Sequence, residues 1–205
     1  MYPGERFNSI SHLVGSALAV AGAVVLIVSA ALGGDPWRIV GVSIFGAMLV
    51  TLYTVSALYH SIRSERAKAV LRKLDHAAIF LLIAGTYTPF ALVTLRGALG
   101  WTLLATIWLM AAWGIWRALR QTNVRDPSPW PYLIMGWLGV SAAVPLVHSL
   151  GPHGVFWLVA GGALYSAGVV FYMNDTRWRH AHGVWHLFVL GGSAAHFVTV
   201  LFFVR

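Results

Sequence analysis

Residues 10–32 of the chain read ISHLVGSALAVAGAVVLIVSAAL, a run without a single Asp, Glu, Lys or Arg. An α-helix needs about 20 mostly apolar residues to cross the hydrocarbon core of a bilayer. The run exceeds the roughly 7–15 apolar residues of a secretory signal peptide, and a histidine, His12, lies near its start. We therefore predict a membrane-spanning helix over 10–32 that is not removed as a signal sequence.

Six further apolar stretches of similar length follow, so the sequence predicts an all-α membrane protein built as a seven-helix bundle. The predicted spans are 10–32, 37–60, 76–95, 98–118, 131–150, 154–173 and 183–204. Glycine, proline or charged residues occupy the breaks between them, including the charged run 61–73. Pro89 and Pro145 fall inside predicted spans, where a proline removes a backbone hydrogen bond and kinks the helix.

The composition supports the membrane class. Hydrophobic residues make up 59% of the 205-residue chain and charged residues only 10%, whereas soluble domains carry about 25% charged residues. We expect one transmembrane domain over residues 1–205. The absence of cysteine excludes disulfides and thiolate metal sites, so any metal ligand must be His, Asp or Glu. The net charge of +8 favours basic loops facing anionic lipid over a nucleic-acid partner.

The basic residues predict the orientation of the bundle. With the N-terminus in the cytoplasm, eleven of the fourteen Lys and Arg residues fall on the inside. These are Arg6, Arg63, Arg66, Lys68, Arg72, Lys73, Arg117, Arg120, Arg125, Arg177 and Arg179. Short cytoplasmic loops carry such an excess of basic residues, so seven spans place the C-terminus outside.

Several titratable residues fall at the cytoplasmic ends of the spans on this topology. His12 lies near the start of the first span, His60 ends the second and Asp75 precedes the third. His182 and His186 lie at the start of the seventh. Because polar side chains inside a membrane usually face the bundle interior, we expect these residues to converge at one depth.

The strongest local signal is the pair His182 and His186. Histidines at i and i+4 project from one helix face about 6 Å apart, which suits two ligands of a single zinc ion. His60, at the same depth, is the expected third ligand, and three protein ligands leave one position for water, as in catalytic zinc sites. Asp75 would hydrogen-bond that water and accept its proton. Ser56, one turn before His60, would orient a ligand or donate to a developing oxyanion.

Structural interpretations of the same residues remain open. A histidine pair at i and i+4 is also compatible with interhelical hydrogen bonding. Glu5, Asn8 and His12 suit either a network that supports the metal site or only a hydrogen-bond network at the start of the first helix. His196 lies ten residues beyond His186, about 15 Å deeper, and is expected to be a hydrogen-bonded packing residue.

Four sequence blocks together resemble the signature of the haemolysin III family, the bacterial branch of the progestin and adipoQ receptor family. The blocks are Glu5-Arg-Phe-Asn8-Ser-Ile-Ser-His12, Ser56-Ala-Leu-Tyr-His60, Leu74-Asp75-His76, and His182-Gly-Val-Trp-His186 followed by His196. The resemblance covers essentially the whole chain. It implies seven helices with the N-terminus inside, in the bacterial inner membrane.

The resemblance also implies a site and a chemistry. A zinc ion near the cytoplasmic face would be held by His60, His182 and His186, with Asp75 acting through water and Ser56 at the motif serine. The family is similar to the alkaline ceramidases, which hydrolyse lipid amides. Its bacterial members are associated with membrane-lipid homeostasis, and some with cytolytic activity.

The leading hypothesis is therefore a zinc-dependent hydrolase of lipid amide or ester bonds, with membrane lipid as its partner and an acyl chain or fatty acid in a cavity between the helices. The alternatives are a non-enzymatic membrane sensor or regulator with a structural zinc ion, and a cytolytic membrane protein as the resemblance implies. Pore formation is disfavoured because no amphipathic inserting segment is present. Haem binding is disfavoured because His186 and His196 differ in both height and direction on their helix.

Overall fold

A computed structural model describes residues 4–121 and 127–205, and all regular secondary structure in these ranges is helical. The α-helices are α1 (Arg6–Gly33), α2 (Pro36–Ser61), α3 (Glu65–Pro89), α4 (Ala98–Arg120), α5 (Trp130–Trp137), α6 (Ala143–Met173) and α7 (Ala181–Phe203). A π-helical turn, Phe90–Thr94, continues α3, and a 3₁₀ turn, Leu138–Ala142, joins α5 to α6. Arg125, which the charge argument assigns to the inside, lies outside the described residues.

Six helical stretches in the described ranges are long and apolar enough to cross a membrane. Five of them correspond to α1, α2, α3 with its π turn, α4 and α7. The remaining stretch, Trp130–Met173, is 44 residues long and contains both α5 and α6. The prediction of an all-α protein with several membrane spans is therefore confirmed.

The long stretch Trp130–Met173 reverses direction at Gly151. Gly151 has φ +65° and ψ 177°, a backbone conformation outside the helical region. The indole Nε1 of Trp137 donates a hydrogen bond of 3.0 Å to Ser166 Oγ. These residues lie 29 positions apart, so a continuous helix would separate them by about 43 Å. Gly151 therefore divides this stretch into two antiparallel arms, at the position where the sequence places a break.

Pro89 and Pro145, which fall inside predicted spans, both lie close to irregular turns. The α-helix ends at Pro89 and continues as the π turn Phe90–Thr94. Pro145 falls in the first turn of α6, directly after the 3₁₀ turn Leu138–Ala142. A proline ring clashes with the carbonyl four residues earlier, which fits the change from α to π geometry after Pro89, whereas a proline in the first turn of a helix, as at Pro145, is tolerated.

The third helix begins earlier than the predicted span. The sequence places that span at 76–95, but α3 begins at Glu65, and most of the charged run 61–73 is helical. Lys, Arg, Glu and Ala are good helix formers, so the helix extends beyond its apolar segment. This extension brings Lys68 beside the start of α1, where its ammonium group contacts Glu5.

The helices pack so that the start of α1, the end of α2 and the start of α7 lie together. Ser9 Oγ of α1 lies 2.6 Å from Ser61 Oγ of α2. Tyr53 of α2 is fully buried and donates a hydrogen bond of 2.7 Å to Ser193 Oγ in the middle of α7. Near the start of α7, His186 Nδ1 lies 3.2 Å from the Asn8 carbonyl oxygen of α1. These contacts position the ends of three helices around one point, and the candidate site lies there.

Candidate metal centre

Three imidazole rings meet where α2 ends and α7 begins. His60, His182 and His186 each offer one ligand atom, and these atoms lie within 4.8 Å of one another. The ring centroids are 5.1 Å apart for His60 and His182, 5.0 Å for His60 and His186, and 4.9 Å for the two rings of α7. Imidazole nitrogen is a common zinc ligand, so this group could hold a metal ion.

The ring of His60 is oriented by a carboxylate. Its Nδ1 lies 3.1 Å from Glu5 Oε2, and its Nε2 is buried without a hydrogen-bond partner among the described residues. A carboxylate accepts hydrogen bonds, so the ring proton belongs on Nδ1 and the lone pair on Nε2. Histidines that bind metals through one nitrogen usually donate through the other in this way.

The other two rings have the same arrangement. His186 Nδ1 lies 3.2 Å from the carbonyl oxygen of Asn8, and His182 Nδ1 lies 3.3 Å from Asp175 Oδ2. Each acceptor favours the tautomer with its proton on Nδ1 and leaves the Nε2 lone pair available. All three rings therefore favour the same tautomer, and the buried Nε2 of His60 has no hydrogen-bond partner among the described residues. Both observations suit three Nε2 ligands of one zinc ion.

Glu5 also binds a lysine. Lys68 Nζ lies 2.7 Å from the same Glu5 Oε2 that contacts His60, and it donates a second hydrogen bond to the Tyr59 carbonyl. Burial by itself would raise the pKa of the Glu5 carboxyl, but hydrogen bonds from His60 and Lys68 and the positive charge of Lys68 outweigh burial and hold the pKa below its ordinary value. Glu5 is therefore ionised at neutral pH and accepts a hydrogen bond from the Nδ1–H of His60.

A glycine on α7 permits this close approach of α1. Gly183 lies between the two histidines of α7, and a Cβ atom built there would collide with the ring of Phe7. The same Cβ would lie 3.0 Å from Asn8 Oδ1. Because no side chain intervenes, α1 packs closely enough for the Asn8 carbonyl to reach His186.

His12 packs directly on the group. Its ring stacks on His186 with centroids 3.6 Å apart and planes 9° apart, and both its nitrogens are buried without a hydrogen-bond partner in the described ranges. Glu5 and Asn8 each bind a different histidine from α2 or α7. The start of α1 is thus joined to the three-histidine group, beyond the local helix-start network that the sequence also allowed.

A cavity of about 270 Å³ extends from this group into the bundle. Its polar end is bordered by His12, Ser56, Asp75, His182 and His186. Most of its remaining wall is apolar, and His196 borders the cavity as well. His182 and His196 are 14 residues apart on α7, so the cavity runs along about 21 Å of that helix.

The four sequence blocks that resemble the haemolysin III signature lie within one region that matches a known family. The family model described as Haemolysin-III related matches residues 2–197. The chain belongs to the haemolysin III family.

Known haemolysin III proteins are similar over nearly the whole chain. Hemolysin-3 of Bacillus cereus is 44% identical over 201 residues, which cover 98% of this chain and 91% of that protein. A Hemolysin-3 homolog of Bacillus subtilis is 45% identical over 200 residues, which cover 97% of this chain and 93% of that protein. The human Monocyte to macrophage differentiation factor is 31% identical over 177 residues, which cover 82% of this chain and 72% of that protein. These similarities confirm the haemolysin III and progestin and adipoQ receptor resemblance.

Sequence reasoning missed two residues that support the site in this haemolysin III protein. Asp175 orients His182, and Lys68 holds the carboxylate that orients His60. A signal for Asp175 was present, because the chain has only six acidic residues and this one precedes His182 by seven positions. Lys68 gave no such signal, since it lies in a run of basic residues that fits a solvated loop equally well.

Proposed function

We propose that this haemolysin III protein is a zinc-dependent hydrolase of lipid amide or ester bonds, acting at the cytoplasmic side of the bacterial inner membrane and contributing to membrane-lipid homeostasis. One observation carries the proposal: of three converging imidazoles, His60, His182 and His186, the last two border a cavity whose wall is otherwise largely apolar. A lipid amide or ester has a polar reacting group and an apolar chain, which match the polar and apolar parts of this cavity.

The metal would be held by His60, His182 and His186 through Nε2, with Glu5, Asp175 and the Asn8 carbonyl fixing the rings. Zinc supplies Lewis-acid polarisation of a carbonyl and lowers the pKa of a coordinated water toward about 7. Three protein ligands leave a coordination position open, which distinguishes catalytic from structural zinc sites.

Two further side chains supply proton transfer and hydrogen bonding. Asp75, at the cytoplasmic half of α3, borders the cavity beside the histidines and would take the proton of the attacking water, then pass it to the departing amine or alcohol. Ser56 is buried one turn before His60 and borders the same cavity. Its hydroxyl would donate a hydrogen bond to the carbonyl oxygen as negative charge develops there.

The apolar wall of the cavity would hold the acyl chain. Burial of a chain in this region removes apolar surface from water and places the amide or ester at the polar end. Because this wall is largely apolar, the natural partners of the protein would be membrane lipids.

We further propose seven membrane spans, with the N-terminus inside and the C-terminus outside. The two arms of Trp130–Met173 count as separate spans because the chain reverses at Gly151. The basic segments at the ends of α2, α4 and α6 then face the cytoplasm, and so does the three-histidine group.

Activity of the purified protein tests the proposal. Zinc content and the release of fatty acid from ceramide in lipid nanodiscs would be measured on the same preparation, with a chelator-treated sample as control. We expect about one zinc per chain and release that is lost with the metal and restored by zinc. Metal-replete protein that hydrolyses no lipid amide or ester would overturn the enzymatic proposal and favour a structural role for zinc.

A further inference from the structure

Arg38 lies at the end of the bundle opposite the three-histidine group. It is in the first turn of α2, and His60 follows 22 residues later on the same helix, about 33 Å along the helix axis. The hydrocarbon core of a bilayer is about 30 Å thick. With the three-histidine group at one surface of the membrane, Arg38 therefore lies at the depth of the lipid headgroups of the other surface.

A groove joins Arg38 to a second arginine between the ends of α1, α2 and α7. Its lining residues are Val25, Ser29, Arg38, Leu201, Phe202 and Arg205. Val25 is 48% exposed and Phe202 is 52% exposed, so the apolar part of the groove lies on the outside of the bundle. Apolar side chains beside two guanidinium groups match the acyl chain and the phosphate of a phospholipid.

The guanidinium group of Arg38 is only partly satisfied by the protein. Its Nη2 donates a hydrogen bond of 3.3 Å to the carbonyl oxygen of Leu201, near the end of α7. Its Nε is buried and has no hydrogen-bond partner within residues 4–121 and 127–205. Water therefore does not hydrate that edge of the cation, and a charge that loses hydration favours a counter-charge. Arg38 as a whole is half-buried, so an anion can approach the part of the side chain that stays exposed.

The described part of the chain supplies no such counter-charge. Neither Arg38 nor Arg205 forms an ion pair with a carboxylate there. Asp35, three residues before Arg38, is bound to Arg96, with its Oδ2 2.7 Å from Nη2 of that arginine. The groove therefore favours a headgroup that brings a negative charge. The ammonium group of a zwitterionic headgroup would instead lie beside two cations.

We propose that this groove binds the phosphodiester of an anionic phospholipid and prefers phosphatidylglycerol to phosphatidylethanolamine. Guanidinium groups bind phosphate oxygens through charge-assisted hydrogen bonds, and lipid phosphates lie at this depth of the membrane. The acyl chain of the bound lipid would lie against Val25 and Phe202. The proposal is independent of zinc and of hydrolysis, because the groove and His60 lie at opposite ends of α2.

A fluorescent label beside the groove tests the preference locally. The natural chain has no cysteine, so Val28→Cys, at a 51% exposed position next to Ser29, takes a single bimane label. The full-length protein would be placed in phosphatidylcholine vesicles that contain a minority of phosphatidylglycerol or phosphatidylethanolamine with brominated acyl chains. Bromine quenches a nearby label, so quenching at matched lipid fractions gives the relative affinity of the two lipids at this position. We expect phosphatidylglycerol to be preferred about three- to tenfold.

Replacement of the arginines should remove this preference. Arg38→Gln keeps a donor for the Leu201 carbonyl but removes the charge, so the affinity ratio should fall close to one. Arg205→Gln, at an exposed position, should lower the ratio even if Arg38→Gln fails to fold. Arg66→Gln, a matched change at the opposite membrane surface, should leave the ratio unchanged. A label at Leu99→Cys, at the start of α4, should report a ratio near one.

Three results would overturn the proposal. The first is equal quenching by the two lipids at Val28→Cys, and the second is a preference that neither Arg38→Gln nor Arg205→Gln changes. The third is an equal preference at Leu99→Cys, which would show a general attraction of anionic lipid to the protein. Inorganic phosphate added at constant ionic strength should leave the ratio unchanged. If it abolished the ratio instead, the groove would be a site for free anions and the lipid proposal would be wrong.

Discussion

Glu5 Oε2 lies 3.1 Å from Nδ1 of His60, a contact between residues 55 positions apart in the sequence. Through it the first residues of the chain fix the orientation of an imidazole at the far end of α2. Lys68 Nζ lies 2.7 Å from the same oxygen, so the start of α3 also contacts this carboxylate. Three helices therefore determine the direction in which one proposed zinc ligand points.

Replacing the carboxylate should weaken the metal site without unfolding the bundle. Glu5→Gln keeps the size of the side chain but removes the charge that orients His60 and pairs with Lys68. We expect zinc affinity to fall about 10- to 100-fold, the usual effect of losing a hydrogen-bond partner of a metal ligand. Zinc titration against a competing chelator measures it. Glu65→Gln, an exposed position, is the matched control and should bind zinc like wild type.

Removal of a histidine from either helix should abolish stoichiometric zinc. His60→Ala and His186→Ala each leave only two of the three proposed ligands, so the zinc content of the purified protein should fall from about one per chain to a small fraction. His148→Ala, a histidine on an exposed surface, provides the control. Full zinc content in both ligand variants would show that α2 and α7 do not share an ion.

Asp75→Asn separates the two proposed roles of zinc. The amide cannot accept the proton of the attacking water, so the hydrolytic rate should fall about 10²- to 10⁴-fold while zinc content is unchanged. Lipid hydrolysis and metal analysis on one preparation measure both quantities. Asp35→Asn, beyond the opposite end of α2, should keep full activity. Undiminished hydrolysis in Asp75→Asn would remove this residue from the mechanism, and an undiminished cellular phenotype despite lost hydrolysis would favour a sensor.

A methyl group at Gly183 should disturb the packing of α1 on α7. Alanine is normally the better helix former by about 1 kcal/mol, but here its Cβ collides with the ring of Phe7. We expect Gly183→Ala to lower the free energy of unfolding by about 1–3 kcal/mol and to reduce zinc affinity. The matched change Gly191→Ala meets Leu164 at an ordinary 3.4 Å and should unfold at or slightly above the wild-type temperature. Equal melting temperatures for the two variants would contradict the packing argument.

The proposed topology can be tested with single cysteines, because the natural chain has none. A membrane-impermeant maleimide should label His153→Cys in intact spheroplasts, since this residue follows the reversal at Gly151. Arg66→Cys, at the start of α3, should be labelled only after the membrane is opened. Both positions are exposed, so accessibility does not limit the reaction. Labelling of Arg66→Cys in intact spheroplasts would contradict an internal N-terminus.

Much of the fold was predictable because the hydrocarbon core of a bilayer offers no hydrogen-bond partners to the backbone. A backbone in hydrocarbon must satisfy its own hydrogen bonds, so long apolar stretches can only be helices, and their positions follow from composition. The reversal at Gly151 was predictable from the Gly-Pro pair. The start of α3 at Glu65 was not, because a charged sequence with good helix formers fits both a loop and a helical extension.

The candidate site was predictable in its residue types but not in its connections. His182 and His186 share a helix face by local geometry, and His60 follows from topology, since both helix ends lie at one depth. The pairing of Glu5 with His60, of Asp175 with His182 and of the Asn8 carbonyl with His186 depends on how closely α1 packs against its neighbours. No local periodicity encodes that distance.

The sequence by itself determined an all-α membrane protein, most of the places where its helices end, though not the start of α3, and the histidines expected at one level. These properties depend on transfer from water to hydrocarbon and on the helical repeat, both of which act residue by residue. The tertiary structure alone decided which oxygen holds each imidazole, including the Leu158 carbonyl that lies 3.1 Å from His196 Nε2. Those features depend on contacts between helices, such as Phe7 against Gly183 and His196 against Gly161, and form only when side chains distant in sequence pack together.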